Sequence, residues 1–288
     1  MNRIDQIFAD GRRARRGLVF PFLTGGYPTL ERLGDLIAAL DRAGAAAIEI
    51  GIPLSDPIAD GPVIAASMHE VLQRGVTPKA IEDQVRAVTG GRASAGAGVA
   101  TAPINAGLVA MVSASIVERV GVERYLDGVL GAGMHGVIVP DADIDRAGNI
   151  ASACDRRGLA CAFLVAPTSG EDRIKRIVAH CRGFVYLLAR AGVTGDSGGS
   201  GVASGDLERQ AGRIRAANAS LPIAAGFGIS TSEHVRAVLR HVDAAIVGTA
   251  LVKRIGDAVR QGRDPVVDAE QFVRALVEGA AEGRSSAT

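Results

Sequence analysis

Eight short apolar runs, separated by amphipathic helical segments along a chain of 288 residues that is 48% hydrophobic, predict an α/β fold: a single (β/α)8 TIM barrel with extra N-terminal and C-terminal helices. Strands that alternate with helices must run parallel, joined by right-handed crossovers. Eight such units in a chain of this length close into a barrel rather than remain an open sheet. The whole chain, 1–288, is read as one domain.

In order, the runs are Leu18–Thr24, Ala47–Gly51, Gly107–Ser113, Gly136–Pro140, Ala160–Ala166, Phe184–Leu188, Pro222–Gly226 and Ala244–Gly248. A short helix precedes the first and ends near the cluster Arg12, Arg13, Arg15, Arg16, a solvated face that the dipole favours at a helix C-terminus. After the first run, Leu33, Leu36, Ile37 and Leu40 recur at helical spacing within Leu30–Ala43. A helix begins near Pro62, and others cover Leu207–Ala217, Ser232–Leu239 and Ala250–Val259. Glycine-rich residues at about 90–104 read as a flexible insertion and 283–288 as a frayed tail. The Gly/Ser-rich stretch at about 190–206 follows the sixth strand, where a barrel places active-site loops, and reads as a mobile loop able to act as a lid.

Composition excludes several functions. A net charge of +1 gives no global attraction for nucleic acid or an acidic membrane. The three cysteines show no CxxC spacing and no two of the five histidines lie three or four residues apart, so no metal is expected. With no apolar leader and no uninterrupted apolar stretch of membrane-spanning length, the expected location is cytoplasmic.

A glutamate interrupts the second run, Ala47-Ile48-Glu49-Ile50-Gly51. Strand side chains alternate, so with Ile48 and Ile50 facing the outer helices, Glu49 points into the barrel near its C-terminal end, where barrel enzymes do their chemistry. Desolvation raises a carboxyl pKa and suits it to acid/base work; a structural glutamate paired with a cation is the alternative. Asp56 and Asp60 follow in a loop held by Pro53, Pro57 and Pro62, as catalytic groups, turn formers or a helix N-cap. At the other end of the chain, Gly226-Phe227-Gly228 closes the seventh strand and Gly248-Thr249 the eighth, directly before a helix. Glycine turns at these two strand ends suit a phosphate. The residues thus describe a cofactor-independent enzyme with an inward carboxylate and a phosphate grip.

PFLTGGYP (21–28), IEIGIPLSDPIADGPVI (48–64), GVTP (75–78), GFVYLLARAGVTG (183–195), GFGIS (226–230) and VGTALV (247–252), in this order, resemble the tryptophan synthase α subunit family. The resemblance implies retro-aldol cleavage of indole-3-glycerol phosphate to indole and glyceraldehyde 3-phosphate. Glu49 matches the family's acid/base residue and Asp60 the carboxylate that holds the indole N–H. Gly195, Phe227, Gly228, Gly248 and Thr249 would surround the phosphate, Thr194 would belong to the lid, and Phe22, Ile64 and Tyr186 would line the indole pocket. Pro53 and Asp56 match positions that meet a β subunit, implying an α2β2 complex to which indole is handed. Its pyridoxal phosphate belongs to the β partner, so no cofactor is expected here.

One element departs from the family. A Tyr-x-Asn-Pro sequence after the third strand is replaced by Ser113-Ala114-Ser115-Ile116, which implies a wider, less aromatic pocket and the loss of local hydrogen bonds. The Gly/Ser-rich lid and the insertion at Gly90–Gly98, both looser than usual, imply low activity alone and a larger dependence on β. The alternatives are a catalytically impaired subunit that regulates β, or a free-standing indole-releasing lyase.

Overall fold

In the computed structural model, which describes residues 2–56, 61–90, 103–188, 204–226 and 228–285, the eight strands form one closed parallel barrel in sequence order. They are β1 (Leu18–Thr24), β2 (Ala47–Gly51), β3 (Gly107–Met111), β4 (Gly136–Val139), β5 (Ala160–Val165), β6 (Val185–Leu188), β7 (Ile223–Gly226) and β8 (Ala244–Val247), with β8 pairing to β1. All eight predicted runs are strands. Several are one or two residues shorter than predicted, at one end, for local reasons. Pro140 and Pro222 have no N–H for the ladder, Ser113 leaves β3 to become a helix N-cap, and Gly248 caps the helix after β8.

Twelve helices surround the barrel among the described residues: α1 (Arg3–Arg13), α2 (Arg32–Arg42), α3 (Pro62–Gln73), α4 (Pro78–Thr89), α5 (Ala114–Val120), α6 (Val122–Gly131), α7 (Ile144–Arg157), α8 (Glu171–His180), α9 (Ser204–Ala217), α10 (Ser232–Leu239), α11 (Thr249–Arg260) and α12 (Pro265–Ser285). The expected extra N-terminal helix is α1. At the other end, α11 and α12 both follow β8, while paired helices after β2 and β3 add to the expected set. Helix α9 starts at Ser204, inside the segment read as a mobile loop, and α12 runs to Ser285, inside the predicted frayed tail. The rest of that loop and the greater part of the insertion lie outside the described residues.

Alternation along the strands divides the core into two. Ile48 and Ile50, Leu108 and Ala110, and Val137 and Val139 pack outward against the helix layer, whereas Ala47, Val109, Ile138, Ala162, Tyr186, Ala224 and Ile246 fill the interior. The N-terminal end of the interior is plugged by α1, whose Ile4, Ile7 and Phe8 pack into the inner cluster. Phe8, Phe20 and Phe184 form an aromatic triad with centroids 5.5–5.9 Å apart. Asn2 caps α1 by accepting from Ile4 N–H, and its amide donates to the carbonyls of His135 and Gly158. One end of the barrel is thereby closed, and ligands must approach from the strands' C-terminal end.

His135 stands at this closed end. Its Nδ1 accepts the Leu108 N–H at 3.1 Å, and burial, then the Arg3 guanidinium, lowers its pKa below the usual histidine value. A folded state that disfavours the imidazolium binds fewer protons than the unfolded chain, so this contribution is complete above the unfolded pKa of about 6.5 and is lost as pH falls below it. Urea unfolding between pH 5 and 8 should show stability falling on acidification. His135→Asn, which keeps an acceptor near Nδ1 but cannot titrate, should flatten that dependence.

Candidate active site

Glu49 lies in the middle of β2, in register with Phe22 of β1 and Val109 of β3. The residue is 0% exposed, and neither carboxyl oxygen has a hydrogen-bond partner among the described residues. Desolvation alone pushes its pKa well above the usual carboxylate range. A lone carboxylate here would cost several kcal/mol, on the order of what makes buried acids neutralise instead, so burial favours the neutral acid. In that state it can give a proton, and once it has done so it is a strong base.

Phe22, in register with Glu49, is met by Gly51 of β2, and Gly248 lies against Phe22 and Ile64. A Cβ on Gly51 would stand 2.4 Å from Phe22 Cζ, so only glycine lets the ring lie across the end of β2. A Cβ on Gly248 would meet Ile64 Cδ1 at 3.4 Å and Phe22 Cβ at 3.6 Å. Ile64 is fixed by a buried chain in which Ser67 donates to the Ile64 carbonyl at 2.7 Å and shares a 2.7 Å hydrogen bond with Thr24 of β1. Across the barrel, Tyr186 is buried on β6 and its hydroxyl occupies the space that a Cβ on Gly226 would fill, 2.7 Å away. Met111, Leu164 and Leu188, partly buried against the inner cluster, complete an apolar rim.

The glycine turns are adjacent because β7 pairs with β8. Gly228 has a left-handed backbone (φ 57°) just after β7, and Gly248 is the N-cap of the twelve-residue α11 that begins at Thr249. The first-turn N–H groups of α11 have no intrahelical acceptors, and the helix dipole adds positive potential there. Asp60, Thr194, Gly195 and Phe227 lie outside the described residues. In the loop after β2, Asp56 is exposed whereas Pro53 is buried.

The Ser113–Ile116 segment keeps local hydrogen bonds, by a different route from the expected one. Ser113 caps α5, its hydroxyl lying 2.6 Å from Asp141 Oδ2 and 2.7 Å from the Ser115 hydroxyl, and Asp141 Oδ1 accepts the Ala114 N–H at 2.8 Å. Two serines and an aspartate from the next strand end thus tie β3 to β4. No group of three or more His, Cys, Asp or Glu side chains among the described residues could hold a metal.

This fold and arrangement have known counterparts. A family model described as "Tryptophan synthase alpha chain" matches residues 8–281. The chain belongs to the tryptophan synthase alpha chain family. It is 34% identical to the tryptophan synthase alpha chain of Nitratidesulfovibrio vulgaris (strain DP4), over 96% of this chain and 98% of that protein. It is 36% identical to that of Rhodopirellula baltica, over 94% of each. The crystal structure of tryptophan synthase subunit alpha from Legionella pneumophila superposes with a TM-score of 0.85 at 26% identity, covering 98% of this chain and 99% of that one. A crystal structure of tryptophan synthase from M. tuberculosis in an aminoacrylate-bound form gives 0.81 at 26%, covering 97% and 100%.

The glycine at 51 offers a direct test of this packing. Gly51→Ala should cost about 1–3 kcal/mol through overpacking against Phe22. Combined with Phe22→Ala, which removes the clashing ring, the loss should be clearly less than additive in urea unfolding.

Proposed function

We propose that this chain cleaves indole-3-glycerol phosphate into indole and glyceraldehyde 3-phosphate, with Glu49 as the acid/base group. The reading is carried by one observation: a fully buried carboxyl in the middle of β2, on its inward face, without a hydrogen-bond partner among the described residues. Cleavage breaks the bond between indole C3 and the adjacent glycerol carbon. The indole carbon gains a proton, and the hydroxyl on the departing carbon loses one as it becomes the aldehyde. A neutral Glu49 supplies the first proton and, as the carboxylate so formed, accepts the second.

Asp60 takes the indole N–H and stabilises the positive charge that C3 protonation develops on the ring. Phe22, Ile64 and Tyr186 hold the indole, with support from their burial and from the glycines that admit them. The phosphate lies on the backbone of Gly195, Phe227, Gly228, Gly248 and Thr249, a role favoured by the N-terminus of α11, and Thr194 closes over it. No cofactor enters these steps.

A β subunit is the expected partner, meeting this chain at the loop of Pro53 and Asp56; the exposure of Asp56 supports that placement. Complex formation would pass indole onward and hold any pyridoxal phosphate in β. No helix among the described residues is long and apolar enough to cross a membrane, which agrees with a cytoplasmic enzyme.

Indole release by the purified chain, with and without a β subunit, tests the reading. Glu49→Gln should lower kcat by about 10²–10⁴-fold with substrate binding retained. Absence of indole in both conditions from a chain that still binds β would favour the impaired, regulatory subunit. The same variant tests the carboxyl's burial. Because the folded pKa is raised, the folded chain binds more protons than the unfolded one between the unfolded value and the folded one, so stability is lost as pH rises through that window. Glu49→Gln should therefore melt higher than the natural chain at pH 8, with the gap closing toward pH 4.

A further inference from the structure

A cleft of about 860 Å³ opens on the outside of the barrel, between α4 and the α5–α6 pair, with the start of the β2–α3 loop at one end. Its walls are apolar, from Pro53, Leu54, Leu72, Pro78, Ile116 and the exposed Val120. Its floor holds two polar groups, the Tyr125 hydroxyl and the Glu82 carboxyl, and the charges of Lys79 and Arg86 act on the second. Tyr125 is 2% exposed and its hydroxyl meets neither donor nor acceptor. Glu82 is 7% exposed, its carboxyl lying against α6 at Gly128, where a Cβ would come within 2.7 Å of Oε2.

Four cations border the cleft, but they are not equivalent. Lys79 and Arg86 are both paired with Asp83. Arg119 and Arg124 form no ion pair among the described residues. The cleft therefore combines apolar walls, a floor with a buried hydroxyl that has no partner among the described residues beside a carboxyl, and a rim with two guanidinium groups outside any ion pair among those residues.

We propose that this cleft is a second ligand site, which takes a small amphipathic organic anion: an apolar ring body with an N–H or O–H at its buried end and an anionic group at its outer end. Each part meets a different need. A hydrogen-bond donor on the ring is accepted by the Glu82 carboxyl, and an acceptor or donor beside it satisfies the buried Tyr125 hydroxyl, removing the cost of leaving that hydroxyl unpaired. The ring covers the apolar walls, within the size range of small-molecule pockets. The anionic group is bound by Arg119 and Arg124 through charge-assisted hydrogen bonds. A purely apolar molecule would leave that hydroxyl unpaired, and an inorganic anion would leave the walls uncovered. Because Pro53 and Leu54 form one wall, an occupant bears on the loop that leads away from the strand carrying Glu49.

The probe is 8-anilinonaphthalene-1-sulfonate, which carries fused rings, one N–H and a sulfonate, titrated by fluorescence against the full chain. Saturable one-to-one binding is expected. Arg119→Ala with Arg124→Ala should weaken it by at least about tenfold, and Leu72→Trp, which fills the cleft, should abolish it. Binding should persist when the barrel mouth is saturated with the unreactive analogue indole-3-propanol phosphate. Absence of one-to-one binding, or affinity unchanged in the arginine variant, would overturn the proposal. So would displacement by the analogue, which would put the probe in the barrel mouth. Displacement by a purified β subunit, with the same arginine dependence, would overturn it in favour of a protein-docking surface.

Discussion

A carboxyl group enclosed in a closed barrel, with no hydrogen-bond partner among the described residues, is the constraint on which the candidate site depends. Parity along β2 puts Glu49 inside, because Ile48 and Ile50 are needed against the helix layer and a one-residue slip would bury them in the wrong place. Desolvation then fixes its chemistry. A group whose neutral form the surroundings favour is a proton donor, and its conjugate base, once formed, has every reason to recover the proton.

The remainder of the fold keeps that group accessible from one side only. Helix α1 and the phenylalanine triad close the N-terminal end, so the glycines at Gly51, Gly226 and Gly248 can spend their missing side chains at the other end on ring-sized space. Small residues at strand ends and large rings across from them are one arrangement. A methyl group at Gly51 would push on Phe22, and one at Gly226 would push on Tyr186. The Thr24–Ser67–Ile64 chain carries the same order into α3, adjoining the loop to which Asp60 belongs.

Much of this was legible in the sequence, because its signals are periodic and local. Apolar runs marked all eight strands, and alternation alone put Glu49 inward and Ile48 and Ile50 outward. What the sequence could not show arises from contacts between distant segments. Gly226 reads as part of a phosphate turn, yet its neighbour in space is the Tyr186 hydroxyl on the next strand. Ser113 reads as the end of a strand and as a lost tyrosine, yet it caps α5 and binds Asp141, which is 28 residues away. Pro53, read as an interface residue, is buried in this chain and lines the lateral cleft, whose floor forms where Glu82 of α4 meets Gly128 of α6. Paired helices after β2 and β3 were equally invisible, since an amphipathic stretch does not announce where it breaks.

The most direct measurement is the protonation state of Glu49 itself. Infrared difference spectra between the natural chain and Glu49→Gln, recorded across pH, isolate the C=O stretch of this one carboxyl. The account predicts a protonated-carboxyl band that is absent from the variant and persists to neutral pH. A band already replaced by carboxylate absorption near pH 4–5, the range of an ordinary glutamate, would contradict it.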